Sequence, residues 1–299
     1  VRFTPYRFAF EPPLITAQGV FAERTGWRLD SHGGCGDVAP WPGFGAGRAA
    51  VAADVERAVP QTPEVLGALA TARAVGAASA AGRPLAEWLH PQAARSVESH
   101  VLADAAPAGA ILKLKVGAGA LAEDVARVAA VRAAWPKARL RLDANGAWRG
   151  DAAVRAVRAL AAFEPEWIEQ PVPPGDLAAL RALRAWAPIM ADESVTDAGA
   201  LEALLAAEAV HGVVIKPAFV GGAAVAFELG QRARAAGLMI CVTHALGSAV
   251  DRWVAVHVAC ALAADGPVAA GLGGPAVGGG PALVQGWVQR SNVPGLEGL

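Results

Sequence analysis

Ile111-Leu-Lys-Leu-Lys-Val-Gly117 decides how the rest of the chain is read. Side chains alternate faces along a strand, so Ile111, Lys113 and Lys115 share one side while Leu112, Leu114 and Val116 share the other. Two ammonium groups side by side on a short apolar strand are ordinarily a solvated or edge-protecting face. They point inward only where neighbouring segments bring negative charge to meet them.

The motif belongs to a regular alternation. Apolar runs at 97–103, 111–116, 140–144, 167–170, 189–192, 213–216, 239–243 and 269–272 predict strands. Alanine-rich stretches at 120–135, 151–162, 176–187, 197–208, 222–236 and 248–264 predict helices between most of them. Alternating βα units with buried strands imply a parallel sheet. Eight such strands suit a closed α/β barrel of the TIM type, whose chemistry lies at the C-terminal strand ends. The glycine run Gly271-Leu-Gly-Gly-Pro-Ala276 opens no helical pattern, so a dinucleotide loop is not indicated. Before the barrel, residues 1–88 read as a small α+β unit: aromatic extended segments, a strand–turn–strand around 26–38, and helical patterns at 48–59 and 63–80.

Composition excludes several classes. Of 299 residues, 54% are hydrophobic and 18% charged, which argues against disorder and supplies material for a large core. A formal net charge of −1 gives no basic field for nucleic acid or an anionic membrane. VRFTPYRFAF at the start is no secretory signal, and the apolar run GLMICVTHALGSAV meets Asp251 and Arg252 before it is long enough to span a bilayer. Cys35, Cys241 and Cys260 are odd in number and form no Cys-x-x-Cys, as expected of free thiols in a reducing compartment. The expectation is a cytoplasmic protein with neither nucleic-acid nor membrane partner; no oligomeric state follows from the sequence.

Charged residues collect at the strand ends. RLRLDANG turns Arg141, Asp143 and Asn145 to one face, WIEQP ends in Glu169, IMADES in Asp192 and Glu193, and VVIKP in Lys216. An acid thus closes each of three successive strands, with lysines on either side. Converging carboxylates raise one another's pKa unless they are paired. A hard divalent cation removes that conflict, and Mg²⁺ takes carboxylate oxygens while leaving positions for a substrate, with Mn²⁺ a possible substitute. No His or Cys accompanies the acids, so zinc is not indicated. A metal beside lysines points to proton abstraction next to the carboxylate of a small-molecule substrate. A free lysine has a pKa of about 10.4, so a lysine base needs positive neighbours. Lys113 is expected to be one for Lys115.

KLK, LDANG, IEQP, ADES and IKP, in that order and one to a strand, resemble the enolase superfamily in its muconate-lactonizing branch. The resemblance implies a (β/α)7β barrel over 89–280, capped by 1–88 together with the C-terminal tail 281–299. It implies Mg²⁺ on Asp143, Glu169 and Asp192, and catalytic Lys115 and Lys216 on opposite faces of the substrate, with Lys113 beside Lys115. The stretch from Gly34 to Phe44, GCGDVAPWPGF, resembles the G-x-G-E-x-A-P-L-P-G-F of o-succinylbenzoate synthases, with Asp37 in place of Glu and Cys35 in place of Trp. That likeness implies a carbon–oxygen lyase of menaquinone biosynthesis. The reaction is dehydration of 2-succinyl-6-hydroxy-2,4-cyclohexadiene-1-carboxylate to o-succinylbenzoate, through an enediolate formed when Lys115 removes the α-proton. N-acylamino acid racemisation or dipeptide epimerisation by the same lysines and metal is the alternative. Asn145, Thr243 and Gly271 are expected to hold the substrate. His244 is not expected to be the base, because strand six ends in Lys216 and a cation cannot accept an imidazole N–H. Ser248 either donates to the substrate or caps the following helix. Residues 15–25 and 39–45 are the expected covering loops.

Overall fold

The computed structural model describes residues 1–57, 60–102, 111–272, 283–284 and 286–290. Strands β1 (Arg2–Thr16), β2 (Gly19–Ser31) and β3 (Gly34–Val38) form an antiparallel sheet in that order. Helices α1 (Arg48–Arg57), α2 (Pro63–Ala80) and α3 (Leu85–Leu89) follow. Helix α2 lies so close on β3 that a Cβ at Gly36 would stand 2.1 Å from the Ala68 carbonyl oxygen. The Gly-Cys-Gly of the sequence is therefore a packing requirement of this unit. Leu29, Val38, Val51, Val65 and Leu69 make its core.

The chain continues through β4 (Ser96–Glu98), β5 (Val101–Leu102), β6 (Ile111–Lys115), α4 (Leu121–Ala134), β7 (Arg139–Asp143) and α5 (Gly150–Ala161). Then come β8 (Trp167–Glu169), α6 (Leu177–Leu183), β9 (Ile189–Ala191), α7 (Ala198–Ala206), β10 (Gly212–Ile215), α8 (Ala223–Ala235), β11 (Met239–Thr243), α9 (Ala249–Leu262) and β12 (Ala269–Gly271). Strands β5 to β12 are neighbours in chain order, each pair parallel. Ser99 pairs with Ala270, and the His100 N–H donates to the Ala270 carbonyl at 2.9 Å, so the last strand meets the first and the sheet closes. Residues 103–110, between β5 and β6, lie outside the described residues.

The predicted strand at 97–103 is divided. Residues 96–98 pair antiparallel with β14 (Trp287–Gln289), which pairs in turn with β13 (Leu283–Val284), and the chain enters the ring only from Ser99. The break falls where the Ser99 hydroxyl is committed to backbone, accepting the Leu272 N–H at 2.8 Å. From the described part of the tail, Arg290 pairs with Glu87 of α3 and donates to the Ala94 carbonyl. Residues 291–299 lie outside the described residues. No helix among those described is long and apolar enough to cross a membrane, and the three cysteines are buried free thiols.

Alternation along the strands sorts the barrel. Leu112, Leu114, Leu140, Leu142, Ile168 and Ile189 join the core formed with the outer helices. The intervening residues point into the ring. Trp167, Met190, Val214 and Cys241 fill its lower layer, where the Arg141 guanidinium stacks 4.1 Å from the Trp167 ring. That guanidinium is buried and held by Glu166 at 2.7 Å and His100 Nδ1 at 3.0 Å. One step nearer the C-terminal ends come Lys115, Asp143, Glu169, Asp192, Lys216, Thr243 and Gly271.

Buried polar groups fasten the N-terminal unit to the barrel as a cap. Arg24 of β2 donates to the Ala39 and Pro40 carbonyls of its own unit and to those of Ala245 and Leu246 beyond β11. Asp37 accepts the Tyr6 hydroxyl at 2.8 Å, the Ser248 N–H at 2.9 Å and the Ser248 hydroxyl. Ser248 also caps α9 by accepting the Val250 N–H. Asp251 of α9 accepts the Ala245 and Gly247 N–H groups at 2.8 and 2.9 Å. Asp37 and Asp251 line one cavity of about 10 Å³, room for a single water.

Burial, and next the charge of Asp37, push the Asp251 carboxyl up to about 7. An unfolded aspartate ionises near 3.9. Between about pH 4 and pH 7 the unfolded state therefore gains from ionisation that the folded state forgoes, so stability falls over that window and levels off above it. Asp251→Asn keeps an oxygen for the two N–H groups and removes the ionisation. Its melting temperature is expected to exceed that of the wild type by a margin that grows from pH 4 to 7, reaching roughly 5 °C. Thermal melts across that range check this, and a pH-independent margin would refute it.

Candidate active site

Strand register lines up the charges. Lys115 stands beside Asp143 across β6 and β7, and Asp143 beside Glu169 across β7 and β8. Asp192 and Lys216 stand one residue beyond β9 and β10. Lys113 Nζ donates to both Glu169 oxygens at 2.7 and 2.8 Å and lies 2.8 Å from Asp143 Oδ2. Lys115 Nζ donates to the same Asp143 oxygen at 2.6 Å and to Asn145 Oδ1 at 2.8 Å. Lys216 Nζ spans the two Asp192 oxygens at 2.6 and 2.5 Å. Glu193 accepts the Asn145 amide at 2.9 Å. Eight of the residues singled out in the sequence thus meet in one cluster. Thr243 and Gly271 pair with each other on β11 and β12, on the remaining arc of the ring, where a Cβ at Gly271 would meet His100 and Thr243.

Four buried carboxylates, those of Asp143, Glu169, Asp192 and Glu193, share three ammonium groups. Burial opposes ionisation of Asp143, but Lys113 and Lys115 outweigh it and hold that carboxyl far below its ordinary range. Burial and the charge of Asp143 push Glu169 up to about 8. Burial also raises Asp192, with Lys216 giving only part of the charge back. For Lys113 burial works against the charge, yet Asp143 and Glu169 prevail and raise its pKa. Lys113 is therefore more than a bare charge beside Lys115. It is locked between two acids and shares one of their oxygens with Lys115. Burial, and next Arg252, lower the His244 imidazole to about 3, and its Nδ1 accepts the Leu246 N–H at 3.2 Å.

Among the described residues, no three metal-ligating side chains converge ready to hold an ion, because a lysine sits on each acid of the expected set. The donor chemistry nevertheless fits a hard divalent cation. Asp143, Glu169 and Asp192 are almost fully buried on successive strands, and burial together with their neighbours' negative charge raises two of them. Glu193 Oε2 and Thr243 Oγ1 are also buried without a hydrogen-bond partner.

Two cap side chains that sequence reasoning did not single out reach this cluster. Gln18 Nε2 donates to Glu193 Oε1 at 3.4 Å, and Lys216 Nζ lies 4.7 Å from the centre of the Phe44 ring. Phe44 comes from the loop expected at 39–45, whereas 15–25 is not a loop but the end of the β1–β2 hairpin, with Gln18 in its two-residue turn. Periodicity names such loops but says nothing of where their side chains aim. Asp37, in the glutamate position of the resembling motif, is turned toward Ser248 and Tyr6, where it ties cap to barrel.

A closed parallel barrel with acids and lysines gathered at its strand ends, under an antiparallel cap, defines an enolase-type fold. The chain belongs to the enolase superfamily: residues 92–296 match the family described as Enolase C-terminal domain-like. The o-succinylbenzoate synthase of Thermobifida fusca (strain YX) is 41% identical over 152 residues, 50% of this chain and 47% of that one. The L-Ala-D/L-Glu epimerase of Bacillus subtilis (strain 168) is 35% identical over 153 residues, 50% of this chain and 42% of that one. The chain thus spans about half the length of the curated relatives it matches. In fold, it is similar to the dipeptide epimerase from Enterococcus faecalis V583 complexed with Mg and the dipeptide L-Leu-L-Tyr. The TM-score is 0.83 at 23% identity, over 99% of this chain and 97% of that one.

Proposed function

We propose that the chain is a divalent-metal-dependent lyase that dehydrates 2-succinyl-6-hydroxy-2,4-cyclohexadiene-1-carboxylate to o-succinylbenzoate in menaquinone biosynthesis. The observation that carries this reading is the arc Lys115–Asp143–Glu169–Asp192–Lys216, an acid set with an ammonium group at each end. Asp143, Glu169 and Asp192 would hold Mg²⁺, with Mn²⁺ a substitute; bound there, the ion supplies neutralisation for the negative charge that builds on the substrate carboxylate. Lys115, oriented by Asn145 Oδ1, takes the proton from the carbon bearing the carboxylate. The electron pair left behind forms the new ring double bond as the neighbouring C–O bond breaks. Lys115 returns its proton to the departing hydroxide, so water leaves and the ring becomes aromatic. Burial opposes the charge on Lys216, but Asp192 and Glu193 raise its pKa, which keeps it a fixed cation facing the planar ring. Thr243 Oγ1 and the Gly271 backbone are the groups assigned to the substrate's remaining polar atoms.

The same lysines suit N-acylamino acid racemisation or dipeptide epimerisation, and the epimerase likeness favours that second reading. Similarity to the T. fusca synthase supports dehydration, and the chemistry of the cap groups at the site speaks against a dipeptide substrate. Gln18 offers an amide and Phe44 a ring, neither of them an anion for the free ammonium of a dipeptide. Purified protein with Mg²⁺ and the cyclohexadiene carboxylate is expected to show the ultraviolet change of aromatisation, abolished by EDTA. Inversion of N-succinyl amino acids or dipeptides in its absence would move the assignment to the second reading.

A further inference from the structure

We propose that Phe44 is a positioning residue for Lys216: its ring holds the ammonium against the cap, and this confines proton exchange to the Lys115 face of the substrate. The inference rests on the two-lysine reading of the site given above. Lys216 Nζ is held by the Asp192 carboxylate at 2.6 and 2.5 Å and by the Phe44 ring at 4.7 Å. Any cation taken up by Asp192 competes for those oxygens, and the ring is the partner that remains. An aromatic face attracts an ammonium group most strongly where water is excluded, and Phe44 is only 5% exposed.

The ring is fixed at both of its supports. On the barrel side Phe44 stacks on Phe219, centroids 4.3 Å apart and planes 18° from parallel. Phe219 follows Lys216 by three residues, and its N–H donates to the Lys216 carbonyl at 2.9 Å. The ring pair therefore closes around Lys216 from backbone to ammonium. On the cap side the Phe44 N–H donates to the Trp41 carbonyl, Arg24 holds the Ala39 and Pro40 carbonyls, and the Ala46 N–H donates to Glu64 Oε1 at 2.9 Å. Gly45, next to Phe44, takes φ +61°, a left-handed turn that favours glycine, and Glu64 packs against it. The loop presents the ring in one place.

This placement bears on which reaction the site performs. Inversion needs two nitrogens: Lys115 takes the α-proton on one face and Lys216 delivers one of its own to the other, each afterwards exchanging with solvent. Dehydration needs Lys115 alone. With the Asp192 oxygens given over to a cation, a Lys216 held on the Phe44 ring offers charge to the substrate without approaching the α-carbon. The constraint is one of position.

Wild type, Phe44→Leu and Phe44→Tyr, each loaded with Mg²⁺, are compared in D₂O on both enantiomers of an N-succinyl amino acid. α-Deuteration is read by NMR and inversion by chiral chromatography. Phe44→Leu is expected to raise the ratio of inversion to retention by about tenfold or more, and Phe44→Tyr, which keeps the ring face, to match the wild type. Should the leucine variant fail to give a cooperative melt, Phe44→Met, which fills the space without a ring, is read in its place. No rise in inversion without the ring, or a tyrosine variant that behaves like leucine, overturns the proposal. Failure of the wild type to aromatise the cyclohexadiene carboxylate overturns the dehydration reading alone, because the inversion ratio is measured on a different substrate.

Discussion

Lys115→Ala is expected to lower aromatisation by about 10³-fold or more, in kcat and kcat/KM alike, while the protein stays folded. The two halves of this expectation have separate physical grounds. Activity falls because Lys115 is assigned both proton transfers, and alanine supplies no group to replace it. Stability holds because Asp143, the acid that Lys115 contacts, keeps Lys113 at 2.8 Å, so no buried carboxylate loses its last ammonium partner. Lys115 is also the more exposed of the pair, with 24% of its side chain accessible against 9% for Lys113. Lys115→Arg should be equally inactive although it retains the charge, since a guanidinium does not give up its proton in the accessible pH range. Steady-state rates and a thermal melt check both variants. Alanine activity within tenfold of the wild type would place the base elsewhere, with Lys216 next in line.

The ring of residues at the barrel mouth was legible in the chain because a single rule governs it. Side chains alternate, so the residue that ends each apolar run on its inward parity reaches the mouth, and Lys115, Asp143, Glu169, Asp192, Lys216, Thr243 and Gly271 all obey. Which of them touch was less legible. That Lys113 spans Glu169 as well as Asp143 depends on where β8 sits beside β7, a register set by packing over the whole ring. Arg141 shows the same gap. Its parity turns it inward, but nothing local foretells that Trp167, Glu166 and His100 will hold a guanidinium in the barrel floor. The cap is harder still, because Gln18 sits in a hairpin turn and Phe44 in a loop without periodicity, and both contact residues some 175 positions away. The G-x-G-D motif was readable as a likeness, yet its physical content is close packing of α2 at Gly36 and the Asp37 tie to Ser248.

Lys113→Met is expected to destabilise the metal-free protein by about 3–5 kcal/mol, on the order of 10 °C in melting temperature, and Mg²⁺ is expected to restore much of the loss. Methionine fills nearly the same space, so the change tests charge. Lys113 is buried and makes the only ammonium contacts that Glu169 has among the described residues. Removing it leaves Glu169 unpaired and leaves Asp143 to Lys115 alone. The pH dependence follows from the two acids. Asp143 is held far below its ordinary range chiefly by Lys113 against the opposing effect of burial, so the pair contributes stability above about pH 4 that disappears as Asp143 protonates in acid. Wild type and variant should therefore converge in strong acid and separate as pH rises toward 8, the range in which Glu169 also ionises. A divalent cation held by Asp143, Glu169 and Asp192, as proposed, would do what the lost ammonium did, and in the variant it would have no lysine to displace from Glu169. The rise in melting temperature on adding Mg²⁺ should thus be larger in Lys113→Met than in the wild type. Equal melting temperatures in EDTA at pH 8 would show that Lys113 is not the counter-ion of this pair. A Mg²⁺ response no larger than that of the wild type would show that the ion and the ammonium group do not compete for the same oxygens.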